Sequence, residues 1–434
     1  MTEFQGYKKI EFSKPGAIRK VQERLFKNHL NYLARNSPYY HRILSGLGID
    51  ISKVKLENLR DLPFTDKPAF EKYNHEFLAV PLSKIVDIVL SSGTTGKPTK
   101  VMYTENDLRR LAYNEKISFE SCGLTSEDVV LLTCTMDRCF IAGLAYFLGI
   151  RSLGAAAIRS GHSSFASHVE IIQQMKPTTI VGVPSFLHKL GLFLKSQDIN
   201  PQETSVAKLV CIGEPVRDKN LSLLKIGKCL EDIWGAKVFS TYASSETITT
   251  FCECSAQKGG HLHPELAVVE IVNDKGEVLP PGEVGEVVVT PLSVEGMPLL
   301  RFKTGDVSFL IEGPCECGRV SPRLGPILSR KKQMIKYHGT TIYPQAIYSV
   351  LDGIPEVSDY YITVTSDFDL SDVVKIYISV SDESCSADKI IDKLQAHLRV
   401  RPEVVIESEE SIRKQISSGN SRKLIRFIDM REDK

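Results

Sequence analysis

The chain has 434 residues, 42% of them apolar and 25% charged, with a net charge of +1; this is a soluble globular composition too long for one core, so two or three domains are expected. Near-neutral charge argues against a dedicated nucleic-acid or membrane-surface protein, and no apolar run approaches the roughly 18 residues needed to cross a bilayer. The polar start Met1-Thr-Glu-Phe-Gln-Gly lacks the basic-then-apolar order of a signal peptide, so a cytoplasmic protein is expected.

Residues 1–80 carry helical patterning, with Leu25, Leu30 and Leu33 on one side of the first long stretch. Asn36-Ser-Pro and Leu62-Pro-Phe-Thr-Asp-Lys interrupt it, and a helical cap is expected. Residues 86–90 read as a strand that runs into Ser91-Ser-Gly-Thr-Thr-Gly-Lys97-Pro98. Gly93 and Gly96 let backbone N–H groups converge on an anion, while Ser91, Ser92, Thr94 and Thr95 add hydroxyl donors. Lys97 supplies a point charge suited to phosphate. Only two residues separate Gly93 from Gly96, which excludes a Walker A loop. The bland alternative is a Ser/Thr/Gly-rich connector with no ligand.

Beyond this loop, short apolar runs at 129–134, 155–158, 179–183 and 208–212 alternate with helical stretches at 108–119, 141–153, 165–175, 185–196 and 219–233. Alternation of this kind predicts a parallel sheet covered on both faces, with ligands at the carboxyl ends of its strands, where the phosphate-type loop is expected to lie. From Ala267 the pattern becomes β-hairpin-like, and after Arg330 it becomes a compact α+β tail. The expected fold is α/β: a large domain over 1–331, including the cap at 1–80 and a β region at about 250–320, followed by a small α+β domain over 332–434.

Several patches line up with the loop: Ile212-Gly-Glu-Pro215, Thr241-Tyr-Ala-Ser-Ser-Glu246, Arg301-Phe-Lys-Thr-Gly-Asp306, Ser329-Arg330 and Ser421-Arg-Lys-Leu-Ile-Arg-Phe-Ile-Asp429. As an ordered set they resemble the adenylate-forming acyl-CoA synthetase superfamily and, within it, the phenylacetate–CoA ligase family. The likeness covers nearly the whole chain, including Asn36-Ser-Pro-Tyr-Tyr and Leu62-Pro-Phe-Thr-Asp-Lys. It implies an ATP-dependent, AMP-forming carboxylate–CoA ligase whose partners are a small carboxylic acid, ATP and coenzyme A, with no nucleic acid and no membrane. Family members are commonly dimers, but no stretch shows an interface.

The resemblance also implies roles. The loop from Ser91 to Lys97 would hold the β- and γ-phosphates, and Glu246 would hold Mg²⁺. Asp306 would accept from the ribose hydroxyls; a turn Asp after Gly305 is the plain alternative. Gly213, Glu214 and Pro215 match the adenine-side loop, Tyr242 the residue stacked on the base, and Ala243, Ser244 and Ser245 its neighbours. Arg330 matches an arginine that reaches the nucleotide, and Lys423 the lysine that neutralises the reacting oxygens. Lys332 falls at the hinge about which the mobile small domain turns. Phe140, after Met136-Asp-Arg-Cys, and Phe186 would line an acyl pocket, with Phe186 equally readable as core.

Ten cysteines in a chain of this size do not form a disulfide scaffold. Cys254, His261, Cys315 and Cys317 offer three thiolates and an imidazole suited to a closed, structural Zn²⁺ site, and the family likeness includes members with this set. Cys252 and His263 are competing ligands. Departure from the family's aromatic-rich pattern at 136–139 leaves the acid open between an aryl or arylacetic acid and another small carboxylate. Ala243, Arg422 and Lys332-Gln333 also depart from the family pattern. They keep open an adenylating enzyme with an amine or carrier-thiol acceptor, and a non-catalytic nucleotide- and zinc-binding homologue.

Overall fold

The computed structural model describes residues 7, 9–91, 99–137, 139–161, 163–333, 335–337, 340–342, 344–367, 371–382, 385–398, 400–417 and 425–431. Contacts divide the chain into two units, Met1–Ile327 and Leu328–Lys434; the sequence pattern places the break at 331/332.

The first unit opens with α1 (Pro15–Asn36), α2 (Pro38–Gly46) and α3 (Lys67–Lys72). Pro15 sits at the first turn of α1, and Leu25, Phe26, Leu30 and Leu33 form its buried stripe. Pro38 cannot continue α1, and the Ser37 side chain caps α2 instead. These helices pack Tyr39, Tyr40, Phe70 and Phe77 against Phe302 in one cluster. Tyr40 Oη bonds Thr65 Oγ1 at 2.7 Å and accepts from the Leu300 N–H at 2.8 Å.

Next come β1 (Ile85–Ser91), β2 (Thr99–Thr104), α4 (Glu105–Ser121), β3 (Val129–Leu132), α5 (Ile141–Leu153), β4 (Ala156–Arg159), α6 (Phe165–Met175), β5 (Thr179–Gly182), α7 (Pro184–Ser196), β6 (Lys208–Ile212), α8 (Lys225–Trp234), β7 (Lys237–Ser244) and β8 (Thr249–Cys252). β3 to β8 form one sheet in the order β4-β3-β5-β6-β7-β8, parallel except for β8. The α6, α7 and α8 side covers one face with Leu187, Leu190, Leu194, Leu230 and Trp234. The α4 and α5 side covers the other with Phe119, Tyr146 and Ile150. Burial on both faces is why the strands read as unbroken apolar runs.

Two expectations are corrected. β1 does not belong to the parallel sheet; it pairs antiparallel with β2 alone, with Ser91 opposite Thr99. Val86, Ile88 and Leu90 on its outer face stay 40–55% exposed. The loop predicted to bind phosphate therefore links a hairpin rather than a strand of the parallel sheet. The helix expected at 219–233 begins at Lys225 instead. Asp218 Oδ1 accepts the Asn220 and Ser222 N–H groups at 2.8 and 3.0 Å, a local turn that outcompetes helix.

The unit ends with β9 (Gly260–His261), β10 (Ala267–Val272), β11 (Gly285–Pro291), β12 (Phe302–Ser308), β13 (Leu310–Ile311) and β14 (Arg323–Leu324). β10, β11 and β12 are consecutive antiparallel neighbours, and β13-β14-β9 form a small sheet beside them.

The second unit holds β15 (Ser329–Arg330), β16 (Ile335–Tyr337), β17 (Thr340–Ile342), α9 (Pro344–Asp352), β18 (Val357–Asp367), β19 (Ser371–Val380), α10 (Ala387–Leu398), β20 (Glu403–Ile406), α11 (Glu409–Ile416) and β21 (Phe427–Asp429). Its main sheet runs β20-β19-β18-β21 over a core of Ile362, Ile376, Ile378, Ile347, Leu351 and Leu394. Among the described residues, no helix is long and apolar enough to cross a membrane.

Candidate active site and metal centre

In the parallel sheet, the chain leaves β3 toward β4 on one side and leaves β5 toward β6 on the other. Crevices for ligands open at the carboxyl ends of strands where order reverses in this way. The segments after these strands carry seven of the predicted site residues: Phe140 after β3, Phe186 after β5, Gly213, Glu214 and Pro215 after β6, and Ser245 and Glu246 after β7. Gly213 adopts a left-handed φ of 75°, which lets the chain turn sharply out of β6. The next residue, Glu214, accepts from the Ser185 N–H at 3.0 Å and the Ser185 hydroxyl at 2.8 Å, tying this loop to the start of α7.

β7 and β12 bring two predicted nucleotide residues together. Tyr242 Oη donates to Asp306 Oδ2 at 3.0 Å. Burial and the Asp306 carboxylate push the Tyr242 pKa well up, so its hydroxyl remains a donor. The Asp306 N–H donates to Thr304 Oγ1 at 3.1 Å, a local bond within β12. The predicted 241–246 loop is in fact strand through Ser244, and only Ser245 and Glu246 turn toward β8. Ser244 Oγ donates to Glu246 Oε2 at 3.0 Å, and Tyr103 Oη donates to the Ser245 carbonyl at 2.8 Å.

One partner in this cluster ends the Leu62-Pro-Phe-Thr-Asp-Lys67 stretch, to which the sequence reading gave no site role. Lys67 Nζ lies 3.4 Å from Glu246 Oε1, with side-chain exposures of 21% and 8%. Lys67 begins α3, where Asp66 caps the helix by accepting the Ala69 N–H at 2.8 Å. Arg301 holds that stretch in place: its guanidinium binds both Glu270 oxygens at 2.9 and 3.0 Å, and the Arg60 and Leu62 carbonyls at 2.7 Å each. It also stacks 3.9 Å from the Phe64 ring centre.

Ser91 ends β1 and is buried. Ser92, Gly93, Thr94, Thr95, Gly96, Lys97 and Lys423 lie outside the described residues. Arg330 is in β15 and Lys332 in the 3-10 turn of residues 331–333, both in the second unit. Phe140 caps α5 at the carboxyl side of β3. Phe186 is half-buried, with its ring centre 5.3 Å from those of Phe165 and His168.

Cys254, His261, Cys315 and Cys317 converge so that their ligand atoms all lie within 4.8 Å of one another. Cys254 Sγ is 3.5 Å from Cys315 Sγ, and Cys317 Sγ is 3.4 Å from His261 Nε2. Such separations suit the edges of a tetrahedron with metal–sulfur bonds of about 2.3 Å. Gly318, at a left-handed φ of 86°, closes the turn between Cys317 and Arg319. Burial lowers the His261 pKa to about 4, leaving a neutral imidazole, while its Nδ1 sits 3.2 Å from Ser321 Oγ. Burial resists ionising Cys317, but hydrogen bonds from Arg319 and from the neighbouring thiols outweigh it and lower the pKa. The competing ligands point elsewhere: Cys252 accepts from Thr241 Oγ1 at 3.2 Å, and His263 Nδ1 pairs with Glu11.

A family model for AMP-binding enzymes matches residues 44–294, and one for the AMP-binding enzyme C-terminal domain matches residues 339–431. The phenylacetate-coenzyme A ligase of Thermus thermophilus is 33% identical over 371 residues, 84% of this chain and 82% of that protein. The phenylacetate-coenzyme A ligase of Escherichia coli is 27% identical over 364 residues, 81% of this chain and 80% of that protein. A solved 2-hydroxyisobutyryl-CoA ligase in its postadenylation state shares the fold with a TM-score of 0.82 at 21% identity, covering 95% of this chain and 89% of that one. The chain belongs to the AMP-binding, adenylate-forming enzyme family, as a phenylacetate–CoA ligase-like member. Its class is that of AMP-forming acid–thiol ligases.

Proposed function

We propose that the protein joins an aryl or arylacetic acid to coenzyme A through an acyl-adenylate. The observation that supports this is the hydrogen-bonded pairing of Tyr242 with Asp306 beside the Glu246 turn, which joins residues from two of the motifs matched to the nucleotide site. The substrate carboxylate attacks the α-phosphorus of ATP and pyrophosphate leaves. The thiol sulfur then attacks the acyl carbon, AMP leaves, and the thiol proton is lost to solvent.

In this reading Asp306 receives the ribose hydroxyls, and Gly213, Glu214 and Pro215 border the adenine. Tyr242 flanks the base, and Ala243, Ser244 and Ser245 line the strand end. Lys97 and the hydroxyls of its loop grip the departing pyrophosphate, Lys423 neutralises the reacting oxygens, and Arg330 reaches the nucleotide. Mg²⁺, held by Glu246, would neutralise phosphate charge. Lys332 serves as hinge, and Phe140 faces the acid. Zn²⁺ fits the Cys254, His261, Cys315 and Cys317 set, because three thiolates and a neutral imidazole complete a closed structural site. A cytoplasmic homodimer is the expected form.

Pyrophosphate exchange into ATP, run with a panel of carboxylic acids, tests the first half; thioester formation tests the second. Acid-dependent exchange with coenzyme A turnover is expected. Exchange without turnover would move the acceptor to an amine or carrier thiol, and nucleotide binding without exchange against any acid would overturn the enzyme reading.

A further inference from the structure

Behind the four metal-type ligands lies a second layer that the activity does not use. Glu11, in a short 3-10 turn of residues 10–12, has a side chain only 6% exposed, deep beneath the Cys315–Arg319 turn. Its two carboxylate oxygens are divided: Oε1 meets His263 Nδ1, and Oε2 accepts from Arg319 Nε at 2.6 Å. Arg319 in turn donates from Nη1 to Cys317 Sγ at 3.5 Å. Backbone contacts reinforce the link, since the Val320 N–H donates to the Glu11 carbonyl at 2.8 Å and the Arg319 guanidinium stacks 4.8 Å over the Phe12 ring. His263 Nε2 sits 3.1 Å from Ser118 Oγ, carrying the chain of contacts onto α4.

We propose that Arg319 and Glu11 are positioning residues of the metal centre, and that the segment around residues 9–13 is the outer wall that metal occupancy holds in place. The inference rests on the zinc reading above. Three thiolates around a divalent cation leave a buried site with one excess negative charge. Arg319 offsets that charge at the sulfur of Cys317, the most exposed of the three thiols. An unpaired buried guanidinium would itself be costly, and Glu11 supplies its counter-charge while fixing the approach of the fork to the sulfur. Because binding couplings are reciprocal, whatever Glu11 contributes to holding the metal, the metal contributes to holding the segment that carries Glu11. The coupling also gives an N-terminal segment, more than 300 residues from Cys317 in sequence, a fixed berth on the large unit.

The test uses the full-length protein and Zn²⁺ itself. Zinc content is measured first, then the rate of transfer to an excess of a chromophoric chelator for the unaltered chain, Glu11→Gln, Glu11→Ala and Arg319→Met. Loss of outer-sphere partners is expected to speed release about 10- to 100-fold, with Glu11→Gln between the extremes because it keeps the shape and loses the charge. Limited proteolysis followed by mass analysis should show new cleavage within residues 7–14 once the zinc is stripped. Should Glu11→Ala fail to fold, Glu11→Gln and Arg319→Met carry the comparison. Release rates within about twofold of the unaltered chain, or residues 7–14 equally protected after stripping, would overturn the inference while leaving the zinc site standing. An unaltered chain that carries no zinc and takes none up would remove both.

Discussion

Glu115 makes the most quantitative prediction. It lies on α4, fully buried, and accepts from Thr250 Oγ1 on β8. Its neighbour Asn114 grips the same residue twice, donating to the Thr250 carbonyl at 2.8 Å and accepting its N–H at 3.0 Å. α5 closes over the site so tightly that a Cβ placed on Gly149 would come within 2.3 Å of Glu115 Cβ. Burial pushes the carboxyl from 4.5 up to about 8, against the opposing Thr250 hydrogen bond. The folded chain therefore keeps a proton that the unfolded chain releases above pH 4.5. This stabilisation is complete below that pH and is lost as pH climbs to about 8. At about 1.4 kcal/mol per pH unit, the loss across this window approaches 5 kcal/mol. Glu115→Gln cannot ionise, so its melting temperature should gain on the unaltered chain steadily from pH 5 to pH 8 and then hold its lead. At about 1–2 °C per kcal/mol for a unit of this size, the final gap is several degrees. Paired thermal melts at pH 5, 6.5 and 8 measure it, and the difference between variants cancels every other titrating group. Parallel profiles would refute the assignment of a buried, protonated Glu115.

Three further outcomes follow from the site. Lys67→Met removes the cation from Glu246 and should lower acid-dependent pyrophosphate exchange about 100-fold, with partial recovery in Lys67→Arg; unchanged exchange would exclude Lys67 from the site. Tyr242→Phe deletes the donor that aims Asp306 and should weaken AMP binding about tenfold by titration calorimetry, the loss of one hydrogen bond to a charged group; unaltered affinity would mean Asp306 does not need that donor. Arg301→Met strands the buried Glu270 and frees the Arg60 and Leu62 carbonyls. It should cost about 3–5 kcal/mol in denaturant unfolding, and a cost below about 1 kcal/mol would contradict the ion pair's burial.

What the sequence determined by itself was periodicity and local chemistry. Alternating apolar and amphipathic stretches gave the parallel sheet with helices on both faces, because strands buried on both sides must be apolar throughout. The α+β character of the tail was equally legible, since strand and helix patterns are set by neighbouring residues. The ordered motifs gave the family.

Tertiary structure decided partnerships between residues far apart. The apolar run of β1 could not announce that its partner was β2, because a two-stranded ribbon and an edge of a large sheet share one local pattern. Nor could spacing choose Cys254 over Cys252 or His261 over His263, since each pair is two residues apart. The chain leaves β8 after Cys252 and β9 after His261, so strand parity no longer governs where the side chains go. Lys67 met Glu246, and Glu11 met Arg319, only because the helical cap and the N-terminal turn fold back onto the large unit. Buried charges of this kind need a counter-charge, but the long-range packing that brings it is set by the whole core rather than by any nearby residue.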